Sequence, residues 1–349
     1  MTESSLSRVE LLISLGRHEE ALVALGPIVA SEPGNWYALC LTAQAQLQLD
    51  RPELARDAAA AAVRADPTAE WPLRLLSIAA RELGDHGRAV ALAAESVRME
   101  PNLWEPRAIL AIALSEIKSS RHRARRVAES AVSLAPQEPQ THFVAGLVAD
   151  RVGRHADAET AYRQALRLDP QHSAARNNLS VILSRRGDYL GAARGFTEAA
   201  AGDPRLIIAR RNVDYVVVRL VQRAQLVILA AVFAAIAGPR ILGVDSHWVS
   251  FAAAVTGVAV IVWSLVAFFR ATPRRLHRYL ATLPSRDRLA TAWVTLLAIS
   301  LLVLCVATLL PDTFRWWGYG LSLAALVCAA VLSLVRSALR KKQLGAIRP

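Results

Sequence analysis

At 349 residues the chain has room for two domains, and 54% hydrophobic residues with a mean hydropathy of +0.29 make it too apolar for an ordinary soluble protein. The formal charge of +12 lies almost wholly in the C-terminal part: positions 1–212 carry 26 basic and 25 acidic residues, positions 213–349 carry 15 and 4. Because the basic excess surrounds uncharged runs, it argues against a nucleic-acid partner and for arginines flanking membrane spans.

The opening stretch, MTESSLSRVELLISLG, lacks a basic segment followed by an apolar one, so no cleavable signal peptide is expected. Prolines then recur at Pro33, Pro67, Pro101, Pro136, Pro170 and Pro204, with spacings of 34, 34, 35, 34 and 34. A fixed period of this size marks a stacked repeat, and each proline pushes its predecessor out of the helical region, ending a helix. Twelve residues before the prolines stand Ala21, Ala55, Ala89, Ala124, Ala158 and Ala192; five before them stand Ile28, Ala62, Ser96, Ala131, Ala165 and Ala199. Rows seven apart share a helix face, and side chains this small let two antiparallel helices approach. Leu25, Tyr162 and Phe196 form a bulkier row between them. Gly16, Gly84, Gly153 and Gly187 fall where the two helices of a unit join, a place for a left-handed turn.

These residues resemble the tetratricopeptide repeat. The match is fullest in Gly146, Gly153, Ala158, Tyr162, Ala165 and Pro170, and in Leu179, Gly187, Tyr189, Ala192, Phe196 and Pro204. The helix-A tryptophan of that family is missing, its positions holding Leu39, Leu73, Arg107, His142 and Arg176, and the fourth unit has one extra residue and no turn glycine. The resemblance implies an all-α fold: a right-handed solenoid of antiparallel helix pairs, about six units over residues 2–204, each burying its apolar face only against its neighbours. Residues 205–223 are expected to cap the array as a helix.

Beyond it the sequence predicts four transmembrane helices within 224–336, at about 220–239, 248–269, 289–310 and 316–335, each able to cross a hydrocarbon core of about 30 Å. The first is expected to run on from the capping helix, with Arg219 and Arg223 snorkelling. Trp248, Trp263, Trp293, Trp316 and Trp317 lie near span ends, the place of an interfacial belt. The loop 270–288, with Arg270, Arg274, Arg275, Arg278, Arg286 and Arg288, and the tail 337–349, with Arg340, Lys341 and Lys342 following Arg336, are basic. The other two loops each balance one Arg against one Asp. The positive-inside rule therefore places array, loop and tail in the cytoplasm of a multi-pass cell-membrane protein, bacterial by its Arg- and Ala-rich usage. Leu276, Tyr279, Leu280 and Leu283 oppose Arg274, Arg275 and Arg278 at helical spacing, a short helix suited to the anionic lipid of an inner leaflet.

The resemblance also implies a binding groove along the first helix of each unit. Its positions fall on Tyr37, Cys40, Gln44, Trp71, Arg74, Ile78, Arg81, Glu105, Ile112, Gln140, Phe143, Leu147, Asn177, Val181 and Arg185, a mixed apolar and arginine groove for a protein or peptide partner of acidic character. Ile78 stands where the family's carboxylate clamp needs an asparagine. KSSRHRARR, from Lys118 to Arg126, reads either as a dock for an acidic partner or lipid headgroups or as a solvated turn. The eight histidines lack ligand spacing, Cys40, Cys305 and Cys328 form no CxxC, and neither a GxSxG nor a nucleotide-binding loop is present; no metal, cofactor or catalytic residue is expected. The expected function is a membrane-anchored scaffold or adaptor. The alternative is a non-catalytic subunit of a membrane transport or envelope-synthesis machine, whose spans meet a partner through Gly243, Gly257, Gly318 and Gly320.

Overall fold

The computed structural model describes residues 2–202, 207–241, 247–271 and 287–345. All regular structure among the described residues is helical. The chain divides into two compact units, Met1–Leu179 and Ser180–Pro349. The predicted helix around Leu276–Leu283, together with Arg274, Arg275, Arg278, Arg286 and Gly243, lies outside the described residues.

The first unit is built from helix pairs: α1 (Thr2–Ser14) with α2 (His18–Ser31), α3 (Trp36–Gln48) with α4 (Pro52–Ala65), α5 (Trp71–Glu82) with α6 (His86–Met99), α7 (Trp104–Ser115) with α8 (Arg121–Leu134), and α9 (Pro139–Arg151) with α10 (His155–Leu168). The second helix of each pair stops before its proline, as the spacing predicts. Gly16, Gly84 and Gly153 have φ of +70°, +81° and +85° and close the first helices. The amide one residue beyond each bonds five residues back, Arg17 N to Leu12 O at 2.8 Å, Asp85 N to Ala80 O at 2.9 Å and Arg154 N to Ala149 O at 2.8 Å, the 6→1 bond of a Schellman end. The second pair makes the same turn with Asp50, at φ +59° the non-glycine residue with positive φ among those described. The fourth replaces it with a 3-10 turn, Lys118–Ser120, which takes up the extra residue.

Both small rows are buried. Ala21, Ala55, Ala89, Ala124 and Ala158 have no exposed surface, and Ile28, Ala62, Ser96, Ala131 and Ala165 are buried beside them. The first helices α1, α3, α5, α7 and α9 also pack against one another in succession, so they share one continuous face.

The second unit starts inside α11 (Ser173–Arg185) and continues with α12 (Tyr189–Gly202), α13 (Ile207–Ile241), α14 (His247–Ala271), α15 (Arg288–Leu309) and α16 (Asp312–Gly345). Phe196, Ala192 and Ala193 of α12 enclose Val216 of α13 in one apolar cluster, which Leu220 joins. The cap and the first apolar stretch are therefore one 35-residue helix. Arg223 is stacked on the Tyr189 ring at 4.3 Å, and Arg219 Nε donates to Tyr215 Oη at 2.9 Å.

Among the described residues three helical segments are long and apolar enough to cross a membrane: Val218–Pro239, Arg288–Leu309 and Thr313–Arg336; the apolar stretch Trp248–Trp263 in α14 is shorter. They form two antiparallel hairpins. In the first, Ser250 Oγ donates to Ala235 O at 2.7 Å, and a Cβ on Gly257 would stand 2.8 Å from the Cβ of Ala231. In the second, Ser300 and Ser322 hydroxyls meet at 2.9 Å, and a Cβ on Gly318 would collide with that of Ala307. Gly257 and Gly318 thus close contacts within the chain, where the sequence reading assigned them to a partner's spans. Gln225 joins the hairpins, accepting from Trp293 Nε1 at 3.1 Å and donating to Leu326 O at 3.4 Å. Trp293 is accordingly 1% exposed, a core residue rather than a member of an interfacial belt. Arg336 is likewise buried, its Nε donating to Asp287 at 2.7 Å, while Asp287 also caps α15 through Ala290 N at 2.9 Å. Arg270 and Arg288 are exposed, and Arg340, Lys341 and Lys342 fall on the last turns of α16. Leu226, Phe233, Trp248, Trp263, Leu302, Leu309, Trp317, Leu321 and Leu334 are each more than 60% exposed. An outer surface this apolar is consistent with membrane insertion and would be a liability in water.

Candidate functional site

Where α3 and α5 lie side by side, Gln44, Leu47 and Gln48 face Trp71, Leu75, Ile78, Arg81 and Glu82 across a cavity of about 380 Å³. Residues four apart on each helix share a face, which is why one turn of each supplies the lining. Behind it the Trp71 ring packs on Tyr37, centroids 5.4 Å apart, and Tyr37 lies edge-on to Trp36 at 5.7 Å. Tyr37 Oη donates to Glu10 of α1 at 2.6 Å; that bond, with burial, pushes the phenol up to about 12. The cavity therefore has a braced aromatic wall, an apolar floor of Leu47, Leu75 and Ile78, and a polar rim. A larger depression of about 480 Å³ runs along α10, lined by Thr160, Arg163, Leu166 and Arg167. One helix face supplies no converging groups, so the α3–α5 cavity is the better site.

Two of the groove arginines, Arg74 and Arg81, are neutralised within the fold. Arg74 Nε donates to Glu70 at 2.9 Å, and Ser96 Oγ bonds the other carboxylate oxygen. Glu70 is so buried that its carboxyl is pushed above the usual carboxylate range in spite of both donors. Arg81 pairs with Glu82 and stands 3.8 Å from Glu116, which Arg151 meets at 2.7 Å, so charges alternate along α5, α7 and α9. The expected attraction for an acidic segment loses its free cations. Glu105 instead keeps a solvent-shielded Oε2 without a hydrogen-bond partner.

A second cluster lies near α9. Phe143 packs on His172, centroids 4.9 Å apart, and His172 Nε2 meets Gln140 Oε1 at 3.1 Å. The Ala175 amide donates to His172 Nδ1 at 3.3 Å, so Nε2 carries the proton. Burial lowers the His172 pKa.

The structure thus brings Gln44, Trp71, Ile78 and Arg81 together with Tyr37 behind them, and sets Gln140 and Phe143 in a separate cluster. Ile112, Leu147 and Val181 are half-buried, and Asn177 is buried against Asn178. Arg185 is exposed on the last turn of α11, in the second unit. Cys40 is fully buried, which pushes its thiol up to about 12 and leaves it inert. Sequence reasoning missed Gln48, Glu82, Glu116 and Arg151, although each lies four residues after a groove position: Gln44, Ile78, Ile112 and Leu147. It also missed His172, whose place depends on the Phe143 ring of α9. Among the described residues no cluster of three or more His, Cys, Asp or Glu could hold a metal ion.

A family model described as tetratricopeptide repeat matches residues 6–70 and 143–206. The crystal structure of TTC0263, a thermophilic TPR protein of Thermus thermophilus, is 19% identical, with 52% of this chain and 98% of that one covered at a TM-score of 0.50. The Cut9 and Hcn1 hetero-tetramer of the APC/C is 13% identical, with 76% of this chain and 48% of that one covered at a TM-score of 0.51. MamA of Desulfovibrio magneticus is 24% identical over 49% of this chain and 96% of its own, at a TM-score of 0.37. No curated protein matches the sequence. With the period, the turn glycines and the buried small rows, the matched segments identify the N-terminal array as a member of the tetratricopeptide repeat family.

Proposed function

We propose that the chain is a membrane-anchored scaffold that holds a protein or peptide partner in the α3–α5 cavity. Tetratricopeptide proteins act as protein-interaction scaffolds. The observation that carries the site is the convergence of Trp71, Ile78, Leu47 and Gln44 on one open cavity of the shared first-helix face. An apolar side chain of the partner fits the floor, and the amides of Gln44 and Gln48 suit its backbone. Since Arg74 and Arg81 are already paired, the partner segment in this reading is apolar and neutral rather than acidic.

The C-terminal helices anchor the array. Here α14, uncharged from 248 to 269, serves as a fourth span beside the three longer apolar segments. An even number of spans, with the basic loop 270–288 and basic tail 337–349, sets array and tail on the cytoplasmic side. The division in this reading is an array over 1–204, a cap over 205–223 and a span domain over 224–336. Holding one partner beside a membrane complex raises its effective concentration without chemistry of its own.

The test is a paired capture from native membranes in mild detergent. One bait is the full chain, a second carries Ile78→Ala with Trp71→Ala, and a third carries Gln48→Arg at the exposed rim, with helicity checked in each. A protein held by the first and lost by both others supports the cavity. Equal capture by all three removes it as the working surface.

A further inference from the structure

The fourth helix pair departs from the rest of the array in charge as well as geometry. At the corresponding turns of the first, second and fifth pairs, cations are matched by acids: Arg17 with Glu20, Arg51 with Glu19 at 2.5 Å, Arg154 with Asp157 at 2.6 Å and His155 with Asp150 at 2.8 Å. The helix α6 opens on an aspartate cap, Asp85 accepting from Arg88 N at 3.0 Å. Before and within the first turns of α8 stand Lys118, Arg121, His122, Arg123 and Arg126, all exposed. Arg125 is paired with Glu129 at 3.3 Å, but Lys118, Arg121, Arg123 and Arg126 make no ion pair among the described residues. Ser120 makes no side-chain cap bond. Cations repel the positive end of a helix dipole and one another. The arrangement therefore costs the array stability, and among the described residues Glu129 alone pairs with a cation of the cluster.

We propose that the Lys118–Arg126 surface docks on anionic phospholipid headgroups. The exposed side chains of this segment are Lys118, Ser119, Arg121, His122, Arg123 and Arg126, none of them apolar. A protein interface centres on a buried aromatic or aliphatic anchor; a headgroup layer asks only for charge, each Lys or Arg adding about fivefold in binding. The inference rests on the reading of the apolar helices as spans, which keeps a lipid surface at high local concentration around the attached array. Docking would give the array a second hold on the membrane, set by lipid charge and ionic strength.

The experiment incorporates the full chain into nanodiscs of phosphatidylcholine alone or with about one-third phosphatidylglycerol and follows hydrogen exchange of the amides from 118 to 126. The first amides of α8 have no intrahelical acceptor, so a covering surface registers directly on them. Anionic discs should slow their exchange by about tenfold or more, and raising salt from about 50 mM to about 500 mM should remove the effect. Arg121→Glu with Arg123→Glu and Arg126→Glu should abolish it while exchange in α9 and α10 stays unchanged. Equal exchange in both discs, with the chain still co-eluting with them, overturns the docking and leaves the spans standing. A chain that fails to enter discs at all sinks both. Slowing by soluble polyglutamate but not by anionic discs reassigns the surface to an acidic protein and overturns the lipid reading.

Discussion

Replacing Gly146 by alanine sets packing against helix propensity, and the outcome depends on one ring. A Cβ at position 146 would stand 2.6 Å from Cδ1 and Cε1 of Tyr162 and 3.1 Å from its Cζ. Tyr162 is fully buried, its ring lies 6.0 Å from that of Phe143, and its hydroxyl accepts from Asn178 at 3.4 Å, so it has little room to retreat. Overpacking of this kind costs about 1–3 kcal/mol, while Gly→Ala inside a helix gains about 1 kcal/mol. The net expectation is a loss of up to about 2 kcal/mol in the α9–α10 pair. At the same phase of the repeat, Ala43 with Ala59 and Ala111 with Ala128 are buried in common clusters, showing that alanine is accepted where the opposing side chain is small. In a Tyr162→Ala background, itself costing about 3–5 kcal/mol, Gly146→Ala should therefore stabilise by about 1 kcal/mol, a reversal of sign. Native-state hydrogen exchange of the α9 and α10 amides in the full chain reads the local opening free energy, which in a solenoid belongs chiefly to the pair and its neighbours. Slower exchange for Gly146→Ala in the otherwise unchanged chain would refute the reasoning, because it would mean that Tyr162 yields at no cost.

Asp50→Gly should stabilise the α3–α4 pair by a few tenths up to about 1 kcal/mol, because Asp50 holds a left-handed φ of +59° that glycine adopts freely; faster exchange in α3 and α4 would contradict it. Arg121→Glu should stabilise α8 by about 0.3–1 kcal/mol, replacing repulsion at the helix N-terminus with attraction, and the gain should shrink in high salt. His172 sets a pH dependence. Its pKa is held below the ordinary 6.5, so the unfolded chain binds the proton more readily than the folded one. Stability is therefore complete above about 6.5 and declines as pH falls through the folded value. Exchange at the start of α11, corrected for intrinsic rates, should accelerate below about pH 6.5 and lose that dependence in His172→Gln; rising protection in acid would show that the charged ring is the better accommodated form.

The array was legible in sequence because its constraints are local and periodic. A proline ends a helix wherever it stands, a glycine closes a Schellman turn by its own φ, and an alanine row every 34 residues needs no knowledge of the partner it meets. The long apolar helices were legible for the same reason, since length and hydropathy are properties of one segment. The groove was legible only in part. Repeat phase located Gln44, Trp71, Ile78 and Arg81 on one face, and the structure gathers them round one cavity.

What the tertiary structure alone decided is which of its possible neighbours each side chain meets. Arg74 and Arg81 read as groove cations until Glu70 and Glu116 are seen to pair with them. Trp293 read as an interfacial anchor, but Gln225, 68 positions away, binds its indole N–H and draws it into the core. Gly257 and Gly318 advertise close packing without saying against what; Ala231 and Ala307 answer within the same chain. At Asp50 the second helix pair makes the glycine turn without glycine, because the Schellman bond from Arg51 N to Gln46 O at 3.0 Å and the packing of its neighbours hold the backbone there. In each case a local rule named what a residue can do. The energy that chose among its options came from the particular groups packed around it, from Glu70 four residues before Arg74 to Gln225 on a different helix from Trp293, which no periodicity encodes.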